Sequence, residues 1–272
     1  MESDLKRENI FKKEIKKGIT KKQVSYLILA ALILVIFLNL GSISNFLTAV
    51  KVIIAKYSNY FFKGIAITFS LSFISVIFGI VVGTIIYLMR SSEIKILKFL
   101  ATAYVELLRG IPLMVQLFIV HFGAATILDY RKAGIEIGKA AFIAGVIAVC
   151  LNSGAYVSEI IRGGIQSIDK GQMEAGRSLG MNKSMTMKEI IFPQAIKNIL
   201  PALANEFIAV IKETAVVAYI GVADIMYNTN LVRSVSYNNM GTLFIAAAMY
   251  FIMTFTLSKL VGIWERKLKT SD

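Results

Sequence analysis

The chain has 272 residues, of which 56% are hydrophobic and 17% charged, and its mean hydropathy is +0.68. A soluble domain is nearer roughly 45–50% apolar and about 25% charged, so the composition speaks against an ordinary water-soluble globule. It also excludes disorder, which needs low hydrophobicity, and, with Cys150 the single cysteine, a disulfide scaffold. The formal net charge of +13 fits either an acidic partner such as nucleic acid or cytoplasmic loops that obey the positive-inside rule.

A helix needs about 20 apolar residues to cross a bilayer. In chain order, six segments qualify. Residues 24–40 and 65–89 carry no charge. Residues 99–123 are apolar but hold Glu106 and Arg109, and Pro112 must kink or break that helix. Residues 140–158 are uncharged. Residues 201–223 are interrupted by Glu206, Lys212 and Glu213, and residues 234–258 are again uncharged. The basic tail 1–23 precedes the first span. A cleaved signal peptide is the competing reading of 24–40, but its basic lead would be long and no A-x-A site follows, so a retained anchor helix is expected. Residues 41–63 place Phe46, Leu47, Val50, Ile53, Ile54 and Tyr57 at near-helical spacing, as an amphipathic segment on the outer surface would.

With both termini cytoplasmic, 20 of the 30 Lys and Arg fall in the inside segments 1–23, 90–98, 162–200 and 264–272, and 7 fall outside. That is a positive-inside bias. The basic balance is then an orientation signal, and no nucleic-acid partner is called for.

Chemistry-bearing residues are sparse. His121 is the single histidine, which rules out a His/Cys structural zinc cluster and leaves one base, without an orienting partner, for nucleophilic catalysis. It reads as an interior polar residue near the outer end of its helix. Gly134-x-x-x-Gly138-Lys139 has a superficial likeness to a phosphate loop but lacks its spacing and its Ser/Thr. No ATPase is expected in this chain, and no enzyme activity. Gly79-x-x-x-Gly83 permits close helix approach.

Four features ask for a reason. The cytoplasmic segment 162–200 is the longest between spans. Asp169 or Lys170 reads as the turn into a short helix 172–179, Gly180 as its left-handed cap, and Asn182 or Ser184 as the cap of a second helix ending before Pro193. Glu106 and Arg109 are three apart and share a helix face, so they can pair. So can Glu159 and Arg162, and ionisable groups at membrane depth mark either a structural pair or a gate. Asn152, Tyr156 and Glu159 form one stripe on the fourth span. Asn152 and Tyr156 can be helix-to-helix hydrogen-bonding groups or the wall of a translocation path. On the fifth span Asn205 and Lys212, and Glu206 and Glu213, are each seven apart. Such a polar sector suits a wet cavity, and its two signs of charge suit a zwitterionic solute.

The cytoplasmic segment carries a resemblance. Glu174-Ala175-Gly176-x-x-x-Gly180, nine residues, then Ile190-x-Phe192-Pro193 resembles the EAA motif of ABC importer membrane subunits, with Gly176 in place of Ala and Phe192 in place of Leu. Residues 153–168, 205–214 and 106–118 are similar to the polar-amino-acid branch of that family, and the likeness covers about residues 60–267. The resemblance implies an all-α membrane protein: the five-helix core of a type I ABC importer, 64–267, with its coupling loop 162–200, preceded by the anchor helix 24–40. It implies that Gln172, Glu174, Ala175, Gly176, Gly180 and Pro193 couple the chain to a cytoplasmic ABC ATPase dimer, which carries ATP and magnesium, no cofactor being bound by this chain. It further implies a second permease subunit, identical or a paralogue, an extracellular or periplasmic amino-acid-binding protein, and a place in the bacterial cytoplasmic membrane. The expected function is import of a polar amino acid by alternating access. A secondary carrier or channel without an ATPase is the alternative, although no repeat between halves supports it. Glutamine, glutamate, arginine, histidine and cystine importers share these motifs.

Overall fold

The computed structural model describes residues 40–127 and 134–269. The tail 1–23 and nearly all of the anchor span 24–40 lie outside the described residues. The chain divides into two compact units, Met1–Val52 and Ile53–Asp272. In the first, the described residues are helical, with Ile43, Leu47 and Val52 exposed and Thr48 Oγ1 donating to the Ser44 carbonyl at 2.9 Å.

Among the described residues the secondary structure is entirely helical. Helix α1 is Leu40–Ser91; residues 41–63 contain no proline, and they run as helix directly into the second expected span instead of forming a separate element. Helices α2 (Lys95–Gly110) and α3 (Leu113–Ile127) follow. Helix α4 is Ile137–Gln166, α5 is Lys170–Ser178 and α6 is Lys183–Thr186. A π-helical turn, Met187–Ile191, leads into α7, Phe192–Glu213. A 3₁₀ segment, Thr214–Ile220, continues α7. Helices α8 (Ile225–Ser236) and α9 (Asn239–Lys269) complete the chain.

By length and apolar character α1, α4 and α9 can each cross a bilayer. The third expected span is two helices, α2 and α3, bent by 107°. Ile111 before Pro112 is forced extended, at φ −106° and ψ 133°. Gln116 heals the break: its Nε2 donates at 2.7 Å to both the Leu108 and Ile111 carbonyls, which the lost helix leaves unpaired. The last expected span starts later, at Asn239, because residues 234–236 close α8. The segment 224–233, between the last two expected spans, is mostly α8 itself.

Small residues set the helix spacing. A Cβ at Gly83 would lie 2.6 Å from Val157 and one at Gly154 2.9 Å from Val82, so α1 and α4 touch nearly backbone to backbone. Gly79 opposite Ser153, at 3.2 Å, lies in the same seam, so the Gly79/Gly83 pair does pack as its spacing predicts. Around it Leu71, Val76, Leu117, Ala148, Val149, Val210 and Val217 form a core joining α1, α3, α4, α7 and the 3₁₀ segment. Val157, Ile161, Ala195 and Ile199 form a second core between α4 and α7.

The start of α8 is held by groups that sequence reading did not single out. Asp224 is fully buried. Its Oδ1 accepts from the Tyr227 amide at 2.7 Å, and its Oδ2 accepts from the Tyr250 hydroxyl at 3.4 Å. Thr68 Oγ1 accepts from the Ile225 amide at 3.2 Å. Gly64 lets α1 approach there, since a Cβ would meet the Ile225 Cα at 2.9 Å.

Candidate functional site

The loop after α4 is built for rigidity. Asp169 Oδ1 accepts from the Gly171 amide at 2.7 Å and caps α5. At the other end Gly180 takes φ 84°, with its amide on the Arg177 carbonyl at 3.0 Å and the Met181 amide on the Gly176 carbonyl at 3.1 Å. These are the two bonds of a Schellman closure. Asn182 Oδ1 caps α6 through the Met185 amide at 2.9 Å. Pro193, expected beyond the end of the second helix, does not terminate it. The π turn shifts the Phe192 amide to the Met187 carbonyl, and Pro193 enters the first turn of α7, where a proline's missing N–H costs nothing.

Gln172, Glu174 and Ala175 are exposed on α5, and Pro193 is exposed at the start of α7. Leu179, which sequence reading did not select, is 81% exposed at the end of α5. Gly176 faces the opposite way and is buried. A Cβ there would lie 2.5 Å from Thr186 Cγ2 and 3.2 Å from Ile190. Gln194 Nε2 donates to Gln172 Oε1 at 3.4 Å, and Asn198 Nδ2 donates to Ser167 Oγ at 2.9 Å, so α7 braces the start of the loop on both sides of the α5 cap.

Three of the four polar residues of α7 are uncovered, and the fourth meets α4. Asn205, Lys212 and Glu213 are exposed, and Glu206 is half-buried with its Oε1 accepting from Ser153 Oγ of α4 at 3.0 Å. Two aromatic side chains of α1, Phe69 and Phe73, meet Phe207 edge to face, at 5.7 and 6.3 Å between centroids. Asn152 does not join this sector. It is buried at the α2–α3 break, where its Nδ2 donates to the Leu108 carbonyl and Gln116 Oε1, both at 3.3 Å. The reason is local: a broken helix leaves carbonyls that need donors. Tyr156 lies under the Arg109 guanidinium, 5.4 Å from its carbon to the ring centroid.

Arg109 is not paired with Glu106. Its Nη1 is 3.9 Å from Glu159 Oε2. Glu159 also accepts from Arg90 at the end of α1, and from Arg162, as its spacing predicts, with Arg162 Nε at 3.0 Å. Three helices thus converge on one carboxylate. Arg90 escaped sequence reading because 69 residues separate it from Glu159. His121 lies edge-on to Phe122 at 5.0 Å, with its Nδ1 buried and without a hydrogen-bond partner among the described residues.

Residues 75–270 match the family model described as the binding-protein-dependent transport system inner membrane component. The chain is 41% identical over 220 residues to a putative glutamine transport system permease protein of Rickettsia typhi, covering 80% of this chain and 98% of that one. It is 40% identical over 213 residues to the arginine transport system permease protein of Bacillus subtilis, covering 78% and 94%. Among solved structures, an amino acid ABC transporter crystallised with histidines matches with a TM-score of 0.72 and 47% identity, over 79% of this chain and 96% of that one. The inward-facing MetNI methionine ABC transporter, at 18% identity and a TM-score of 0.60, shares the fold.

Proposed function

Because the chain belongs to the binding-protein-dependent transport systems, as an inner membrane component, we propose that it imports a polar amino acid into the cytoplasm by alternating access. That membership displaces the carrier that works without partners. Relatives named for glutamine and arginine transport support the substrate class. ATP and magnesium belong to a separate ABC ATPase dimer. A binding protein delivers the substrate outside, and a second permease subunit, identical or a paralogue, completes the path.

The observation that carries the reading is α5. It is a short helix, capped at its start and closed at its end, and it presents Gln172, Glu174, Ala175 and Leu179 outward. Gly176 and Gly180 shape it from within, and Pro193 starts the helix that braces it. A rigid helix transmits a push that a loose loop absorbs. The substrate path follows the flank of α7, where Asn205, Glu206, Lys212 and Glu213 supply both signs of charge, with Tyr156 toward the inner end. Glu159 with Arg162 and Arg109 closes that end, while Glu106 remains outside the cluster.

To test the coupling role, the protein is purified from its native membrane with and without Glu174→Ala. The parent is expected to bring an ATPase with it. The variant, whose α5 is otherwise intact, is expected to lose that partner or to lose uptake. No ATPase with the parent, together with normal uptake by the variant, would return the carrier reading.

A further inference from the structure

The cluster at Glu159 links α4, which leads into the loop bearing α5, to the ends of α1 and α2. Arg90 stands in the last turn of α1. Arg109 stands in the last turn of α2, two residues before the 107° break. Arg162 lies on α4 and passes the chain of contacts downward: its Nη1 donates to Gln166 Oε1 at 2.6 Å. The next residue, Ser167, accepts from Asn198 of α7, and Asp169 caps α5. The Glu159 side chain is 16% exposed, against 25% for Arg90, 39% for Arg162 and 45% for Arg109. One shielded carboxylate therefore faces three more exposed guanidinium groups. The other acids on these helix ends, Glu93 and Glu106, make no ion pair among the described residues.

We propose that Glu159 is a positioning residue of the transport cycle: it relays displacement of the α5 loop to the ends of α1 and α2. The inference rests on the ATP-driven reading above and goes beyond it, since it gives the movement a route and adds Arg90 to it. Two properties suit the node to this work. A carboxylate has enough lone pairs to accept from several guanidinium groups at once. Arg90 and Arg109 also stand at the ends of α1 and α2, so a shift of Glu159 moves those termini instead of bending a helix middle. The loosest of the three contacts, to Arg109 at 3.9 Å, leads to the break between α2 and α3, where a turn of the chain is already made. Contiguous polar contacts between two sites are a route for coupling only if their removal changes the coupling itself. The test must therefore separate coupling from stability.

The complex, with its own ATPase and binding protein, is reconstituted in vesicles and supplied with radiolabelled glutamine and arginine. ATP hydrolysis, uptake and thermal stability are measured together. Glu159→Gln keeps the size of the side chain and loses its charge. Hydrolysis is expected to persist while uptake falls by about tenfold or more, the size of an ordinary coupling free energy. Glu159→Asp, which keeps the charge, is expected to retain more of the uptake than Glu159→Gln. Normal uptake in Glu159→Gln overturns the relay. So does a parallel loss of hydrolysis, uptake and stability in both Glu159→Gln and Glu159→Asp, because Glu159 would then only hold the bundle together. Absence of hydrolysis in the parent complex would instead remove the ATP-driven reading, and the relay with it.

Discussion

At position 176 glycine stands where the resembled motif has alanine, and on propensity alone it weakens α5 by about 1 kcal/mol. The structure supplies the reason. Gly176 is the point at which α5 rests on α6, and a Cβ would lie 2.5 Å from the fully buried Thr186. Gly176→Ala is expected to destabilise the loop by about 1–3 kcal/mol through overpacking, offset in part by the better helix former. Adding Thr186→Ala removes the clash and is expected to restore most of the loss. Limited proteolysis at Arg177 and Lys183 reads both variants, and a single variant as resistant as the parent contradicts the packing argument. Glycine at this site was legible in the sequence; its partner was not, because Thr186 reaches it only through the turn at Gly180.

At the scale of elements, charge-free runs and proline located most helices. The exceptions are informative. Pro112 breaks a span as expected, yet the 107° angle depends on Gln116 and Asn152, whose amides satisfy the carbonyls released there. Asn152 thus serves the break, although on its own helix it shares a stripe with Tyr156. Pro193 does the opposite of what its type suggests, because a π turn delivers it into the first turn of α7. On α7 the seven-residue spacing sets Asn205 above Lys212 and Glu206 above Glu213, and all but Glu206 are exposed. Lys212→Ala and Glu213→Ala, at equal membrane abundance, are each expected to cut uptake by about tenfold or more, by the loss of a charge-assisted contact worth about 1.5–3 kcal/mol. Uptake at the parent rate in both variants would remove the α7 flank from the path. Membrane abundance is measured alongside, since both side chains are exposed and neither is needed for packing within the subunit.

For the whole molecule, the distribution of Lys and Arg makes a statement about sidedness. On that count residues 162–200 are expected to face the cytoplasm and the start of α4 to face outward. The single native cysteine, Cys150, is buried, so surface cysteines can be introduced one at a time in a Cys150→Ala background. Ser178→Cys is expected to react with a membrane-impermeant maleimide in inverted vesicles only, and Glu136→Cys in intact cells only. The reverse pattern would invert the topology and separate α5 from any cytoplasmic ATPase.

Membrane residence, the expected orientation, the capped loop and the polar sector of α7 follow from the order of residues alone, because they depend on local quantities: apolar run length, charge count, turn chemistry and helical spacing. The convergence of Arg90, Arg109 and Arg162 on Glu159, the burial of Asp224 beneath Tyr250, and the fit of Gly176 to Thr186 were decided by tertiary structure. Each joins residues from different helices. Spacing along one helix cannot show which of two possible partners, Glu106 or Glu159, an arginine will meet once another helix has been packed beside it.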